Sequence, residues 1–224
     1  MNLSGPLPAW DVARRSTHVS ELVARLLEAL REKGAAVSTL DRLHTVADAA
    51  RALELSQHLS FSLSRGEGKR LVHELLRATL PHLPWAELAV QTVPHVRVLI
   101  PGDAIAPVPP HTDHDIGHQL YERNLWFALT DALDTRALRL ATFAQSMSLL
   151  DARKGPLFPR ALELPRVEAR EGDVLLFTPL HAHAAEVVRG DATRVSMDLR
   201  IAPLAAVRRR ELRTFVPHLE VPHA

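Results

Sequence analysis

The stretch Arg194-Val195-Ser196-Met197-Asp198-Leu199-Arg200-Ile201 alternates a polar or charged residue with an apolar one at every step. A period of two is the signature of a β-strand, in which successive side chains leave opposite faces. The pattern predicts a strand with four apolar side chains in a core and four polar ones facing solvent or a wet cavity. Similar short runs lie upstream: His95 to Ile100, Asn124 to Leu129, Leu138 to Phe143 and Val174 to Phe177, bounded by Pro, Gly and Asp. Short strands spaced by turns, with no helical crossovers between them, predict antiparallel β architecture: a sandwich, jelly roll or barrel. Ala106-Pro107-Val108-Pro109-Pro110 cannot be a central strand and reads as an extended, rigid loop leading to His111.

Ahead of the strands the texture is helical. Val19, Leu22, Val23, Leu26, Leu27 and Leu30 recur at helix spacing, with Thr17 or Ser20 as the N-cap and Gly34 beyond the end. A second helical pattern runs from Val46 through Leu59, and a third from Lys69 to Leu80, closed by Pro81 and Pro84. The expected architecture is mainly β with a helical N-terminal part (α+β). Residues 1–85 are helical support, 86–203 the β core and 204–224 a C-terminal segment, all in a single domain. Arg208-Arg209-Arg210 reads as a solvated helix face.

Composition narrows the chemistry. The chain has 224 residues, a net charge of +1, 24% charged residues and 46% hydrophobic ones, which is globular composition with ample length for a core. Near-zero net charge argues against nucleic-acid or acidic-membrane binding by charge alone. No apolar run reaches the roughly 20 residues of a membrane span, and Met1 to Trp10 lacks the pattern of a signal peptide, so a cytoplasmic location is expected. Oligomeric state is not readable. Zero cysteines exclude disulfides and thiolate chemistry, so any transition metal must take nitrogen and oxygen ligands. Thirteen histidines accompany 24 arginines and only 3 lysines, a bias that accounts for much of the histidine excess.

The densest polar cluster is His111-Thr112-Asp113-His114-Asp115, with Gly117-His118 close behind. In extended backbone His111 and Asp113 point to one side, about 6–7 Å apart, and a bend there lets both reach one ion. A further histidine must come from elsewhere, and His181 and His183 are both available. Two histidines and one carboxylate on one side of a metal leave three positions open, the arrangement of non-haem Fe(II) oxygenases. A 2-oxo acid co-substrate then needs a cation for its far carboxylate. Arg194 on the polar face of its strand is a candidate, with Ser196 two residues on.

From His111 to Arg200 the chain resembles the Fe(II)/2-oxoglutarate-dependent oxygenases of the double-stranded β-helix fold, a jelly-roll, cupin-like core flanked by helices. The small phytanoyl-CoA-dioxygenase-like and streptomycin-biosynthesis-type members are the most similar. Their pattern is H-x-D, then a distal His, then an Arg about eleven residues later, often in R-x-S. Counting back eleven from Arg194 lands on His183. Gly172-Asp173-Val174-Leu175-Leu176-Phe177 is similar to the family's G-D-x-x-x-F strand. Asp113 to His118 followed by Asn124-Leu125-Trp126 is similar to its D-x-x-x-G-H…N-x-W pattern, and Gln91 to Pro101 to its lead-in strand.

The resemblance implies Fe(II) held by His111, Asp113 and His183, with 2-oxoglutarate and O2 as co-substrates. Arg194, Ser196 and Asn124 would contact the 2-oxoglutarate. Arg97 and His118 are candidate substrate contacts, with a rim ion pair and a structural hydrogen bond as their plainer readings. Arg200 reads as a structural ion pair and Asp115 as a turn residue. The implied activity is oxidation, foremost hydroxylation, of a C–H bond in a small metabolite such as an amino acid or natural-product intermediate, with succinate and CO2 released. Halogenating relatives lack the carboxylate that Asp113 supplies. Two departures, Ala184 and Val188, fall where members often have Gly and Asn. The competing classes are a cupin-like metalloenzyme that does not use 2-oxoglutarate, a zinc hydrolase, and a non-catalytic small-molecule-binding β-barrel.

Overall fold

The protein is described here from a computed structural model, over residues 11–13, 18–79, 87–102, 108–153, 155, 158–207 and 215–220. Thr17, Pro81, Pro84, Ala106, Pro107 and the Arg208–Arg210 run lie outside the described residues. In chain order the elements are β1 (Asp11–Ala13), α1 (His18–Glu32), α2 (Ala49–Leu63), α3 (Gly66–Thr79), β2 (Glu87–Gln91), β3 (His95–Leu99) and β4 (Arg123–Ala128). They continue with β5 (Leu138–Leu140), α4 (Phe143–Ala152), β6 (Arg166–Val167), β7 (Val174–Phe177), β8 (His183–Ala184), β9 (Arg194–Pro203) and β10 (Phe215–Glu220).

All strand pairs are antiparallel and fall into two sheets. The larger runs β1-β7-β4-β9-β2-β10, with β3 also on β9; the smaller runs β6-β5-β8. β9 can hold two partners on one edge because it is ten residues long. Arg194 to Asp198 pair with β3, and Ile201 to Pro203 pair with β2.

Alternation along the strands divides the interior into two cores. Val195, Met197, Leu199 and Ile201 of β9, with Leu125 and Phe127 of β4 and Val174 of β7, pack with the buried stripes of α1, α2 and α3. Their neighbours Trp126, Ala128, Leu175 and Phe177 pack instead with Leu138, Leu140 and Val167 of the smaller sheet. The polar side chains of β9 share this inter-sheet side. Burial there is the answer to the open choice between solvent and cavity, since Arg194, Ser196 and Arg200 are 2%, 0% and 8% exposed.

The helices follow the sequence pattern with shifted ends. α2 begins after Asp48, whose side chain accepts a hydrogen bond from the Arg51 N–H, so Val46 stays outside the helix and is exposed. α3 crosses the end of α2 at Gly68, where an added Cβ would lie 2.1 Å from the Ser62 carbonyl oxygen. α2 also seals the edge of β3. Ser60 Oγ accepts from the Val96 N–H at 2.8 Å, and Ser56 Oγ from the Val98 N–H at 3.0 Å. Residues four apart on a helix and two apart on a strand both span about 6–7 Å, so the two hydroxyls match the two donors.

Two expectations need correction. The α-helices hold more described residues than the strands, so the fold is a mixed α+β one and not mainly β. A helix does interrupt the strand series: α4 follows β5, and the strand read to Phe143 stops at Leu140. The cause is local, a capping box in which Thr142 and Gln145 bond each other's backbone N–H groups. No helix among the described residues is long and apolar enough to cross a membrane.

Candidate metal centre

His111, Asp113 and His183 converge between the two sheets. Their ligand atoms lie within 4.8 Å of one another, and Asp113 Oδ1 is 3.6 Å from each imidazole Nε2. Three donors on one face of an ion, each about 2.0–2.2 Å from it, stand about 3 Å apart. The observed spacing therefore fits a metal after a small closure.

Local structure explains the convergence. His111 forms an isolated antiparallel bridge with His183 of β8, which brings the two rings to a centroid distance of 4.2 Å. Asp113 is not in a strand. It opens a short 3-10 turn, Asp113–Ile116, capped by Thr112, whose hydroxyl accepts from the Asp115 N–H. Gly117 closes the turn at φ 103, a left-handed conformation that suits glycine. The turn is the bend that lets a carboxylate two residues from His111 swing onto the same point.

The remaining atoms of the triad are tied down. His111 Nδ1 donates to the Pro109 carbonyl and His183 Nδ1 to the His181 carbonyl, both at 2.9 Å. A carbonyl only accepts, so Nδ1 carries the proton and Nε2 presents a lone pair. Asp113 Oδ2 accepts from Asn124 Nδ2 at 2.7 Å and from Arg200 Nη2 at 3.0 Å. Burial alone would raise the Asp113 pKa, but His111, His183 and Arg200 together hold it well below the usual carboxylate range. Burial pushes His183 down to about 4 against the pull of Asp113, which keeps it neutral at ordinary pH. For His111 burial is outweighed by its contacts with Asp113 and Pro109, and its pKa is raised.

A small cavity adjoins the triad, lined also by Arg97, Asn124, Trp126, Phe177, Arg194, Asp198 and Arg200. Arg194 Nη1 donates to the backbone carbonyls of Arg136 and Ala137 at 3.1 and 3.3 Å. Among the described residues no carboxylate lies within ion-pair distance of it, and burial lowers its pKa to about 10. Arg194 Nε, Ser196 Oγ, Asn124 Oδ1 and Arg200 Nε are buried with no hydrogen-bond partner among the described residues. Buried polar atoms are rarely left so. Three of these residues, Asn124, Arg194 and Arg200, line the cavity, and the two guanidinium Nε donors, one on a carboxylate-free guanidinium, fit a polar anionic ligand.

The other candidates are placed as follows. His181 is 1% exposed, and its Nδ1 is engaged by the Thr178 N–H and hydroxyl. His118 does not line the cavity and donates Nδ1–H to Glu122 at 2.8 Å. Arg97 does line it and is ion-paired with Asp198. Asp115 holds Arg153 through both carboxylate oxygens, at 2.6 and 2.7 Å. Sequence reasoning missed the Asn124 and Arg200 contacts to Asp113, although Asn124 and Arg200 are direct cross-strand partners of β4 and β9. It also missed Asp198, which shares the polar face of β9 with Arg194. The Thr112–Asp115 spacing is a helix-start signature that could have revealed the turn.

No family model matches the sequence, and no curated protein matches it. Solved structures do match in fold. The chain superposes on a nickel complex of the non-heme monooxygenase ThoJ with a TM-score of 0.58 and 17% identity, covering 87% of this chain and 74% of that one. The non-heme alpha ketoglutarate dependent carbocyclase SnoK from nogalamycin biosynthesis gives 0.51 and 18%, covering 87% and 79%. The epimerase SnoN, in complex with Fe3+, alpha ketoglutarate and nogalamycin RO, gives 0.50 and 18%, covering 87% and 78%. At this identity the likeness is one of fold.

Proposed function

We propose that the two facing sheets are a double-stranded β-helix and that the protein is a non-haem Fe(II)/2-oxoglutarate-dependent oxygenase acting on a small molecule. The observation that carries this is one composite site: two Nδ1-anchored imidazoles and one carboxylate oxygen converge beside a buried arginine that lacks a carboxylate partner. His111, Asp113 and His183 would hold Fe(II), whose bound form supplies the activation of O2 that C–H oxidation needs. The names of the fold neighbours, a monooxygenase, a carbocyclase and an epimerase, favour the same class.

The chain's own residues have distinct tasks. Arg194 supplies the charge for the distal carboxylate of 2-oxoglutarate, and Ser196 Oγ, on the same strand face, is a spare hydroxyl beside it. Asn124 and Arg200 occupy Asp113 Oδ2, so Oδ1 is the oxygen that Asp113 would offer to a bound metal. Asn124 Oδ1 is available to a ligand in the cavity. The inter-sheet apolar wall, with Trp126 and Phe177, limits water around the reacting centre.

Hydroxylation is the reaction we assign, since Asp113 keeps the three-ligand set that halogenation dispenses with. Epimerisation and cyclisation use the same ligands. The test is a screen for substrate-dependent succinate release over amino acids and natural-product intermediates, with mass analysis of the product. Gain of one oxygen atom is expected. An isomer of unchanged mass or loss of two hydrogens reassigns the reaction, and absence of succinate with any candidate substrate defeats the oxygenase reading.

A further inference from the structure

The cavity beside the triad has a volume of about 40 Å³. Sites for drug-sized ligands run to about 300–1,000 Å³, so a cavity this small, which also has to admit the metal and 2-oxoglutarate, leaves no room for the body of a substrate. Larger depressions lie elsewhere among the described residues. The crevice beside α1, about 780 Å³, shares no lining residue with the cavity. The groove between α2 and β3, about 690 Å³, shares two, Arg97 and Val108. Arg97 stands at the junction, with its side chain 42% exposed.

The walls of this groove define its occupant. Ala49, Ala50 and Leu53 of α2 face Val96, Val98 and Leu99 of β3. Leu53 is 63% exposed and adds its apolar side chain to this wall. Among the described residues Arg97 is the one charged side chain in the lining, and Asp198 already neutralises it. His95 has its pKa lowered by burial and so adds no charge near neutral pH. Polar contacts are left to Gln57, because the Ser56 and Ser60 hydroxyls accept from the β3 backbone and donate to the Ala52 and Ser56 carbonyls. An added β-strand is disfavoured, because the Val96 and Val98 N–H groups are taken by Ser60 and Ser56.

The geometry points to the α2–β3 groove as the binding site for the body of the substrate: an uncharged, largely apolar small molecule whose reacting end passes Arg97 into the metal cavity. This rests on the oxygenase reading and narrows its substrate class, away from free amino acids.

The probe for a test is 4-fluorobiphenyl, followed by fluorine NMR on the full chain with Mn(II) and 2-oxoglutarate. Saturable binding is expected, weakened at least about tenfold, or 1.4 kcal/mol, by Leu53→Glu or Ala50→Glu. Both positions tolerate the change without disturbing the core. Ser20→Glu, in the crevice beside α1, should leave binding unchanged. Mn(II) at the triad should broaden the bound probe's line. No saturable binding, or binding indifferent to Leu53→Glu, overturns the groove. So does bound Mn(II), seen by EPR, that leaves the line sharp. A concentration-dependent dimer dissolved by Leu53→Glu overturns it as well, making the face a contact between copies. Failure of Mn(II) to bind at all instead overturns the metal reading on which the proposal rests.

Discussion

Asp113 and Arg200 form a buried ion pair in which the guanidinium Nη2 lies 3.0 Å from Oδ2, while Oδ1 is the carboxylate oxygen nearest both imidazoles. The two oxygens of one carboxylate thus have separate duties, one held by the protein and one offered to a metal. The Asp113 and Arg200 side chains are 5% and 10% exposed, so the pair is well shielded from solvent. Arg200→Met leaves Oδ2 with Asn124 as its one hydrogen-bond donor. Metal affinity should fall about 10- to 100-fold, and stability by about 3–5 kcal/mol, because a buried carboxylate loses its counter-charge. Ni(II) calorimetry and urea unfolding measure the two effects. A variant with unchanged affinity shows that the clamp does not shape the ligand.

The triad itself is tested by ligand removal. His111→Ala, Asp113→Ala and His183→Ala should each abolish the weak visible band of the anaerobic Fe(II)–2-oxoglutarate complex. His181→Gln should retain it, since the His181 backbone carbonyl that holds His183 Nδ1 is untouched. Loss of the band in His181→Gln, with retention in His183→Ala, exchanges the two histidines.

Arg194 gives a prediction of opposite signs. In the ligand-free protein it is a buried charge without a carboxylate, so Arg194→Met should leave thermal stability unchanged or raise it. The same change should weaken 2-oxoglutarate binding by about 2–5 kcal/mol, while Ni(II) binding persists. At 2-oxoglutarate about 100-fold above its Kd, the parent protein gains about 2.7 kcal/mol and the variant at most about 0.9 kcal/mol at that concentration. A destabilised variant that still responds to 2-oxoglutarate assigns Arg194 a structural task.

The seal between α2 and β3 is separable from the site. Ser60→Ala leaves the buried Val96 N–H without its acceptor, at a cost of about 1–3 kcal/mol. Ser60→Thr restores the hydroxyl. Urea denaturation reads the difference, and equal midpoints for the alanine variant and the parent refute the seal.

Gly68 is required by close approach. Gly68→Ala drives a methyl group into the Ser62 carbonyl. The expected loss is about 1–3 kcal/mol of stability with metal affinity intact, so an unfolding curve at the parent's midpoint contradicts the packing of α2 on α3.

Much of this architecture is legible along the chain. The two-residue period of Arg194–Ile201 and the helical periods of the first third report which face of each element is apolar, and both recur in the folded protein with ends moved by a few residues. The missed ends trace to caps, Asp48 for α2 and Thr142 with Gln145 for α4, where one side-chain hydrogen bond outweighs the hydrophobic pattern. The short strand β8, the strand β2 and the edge strand β10 carry too few residues, or too mixed a pattern, for a period to register.

The site divides along the same line. Residue types and their spacing were enough to nominate His111, Asp113 and Arg194, because a ligand set is a list of donors and a strand face is a local property, while the family resemblance selected His183. They could not choose between His181 and His183, two residues apart and both able to reach a strand end. The fold separates them: a single antiparallel bridge sets the His183 ring against His111, while Thr178 engages the ring of His181 within the protein. Nor could the chain reveal that Arg200 and Asn124 meet on one oxygen of Asp113, 87 and 11 residues away. That depends on β4 and β9 lying side by side, a long-range pairing decided by the packing of whole sheets and not by any pattern within a segment.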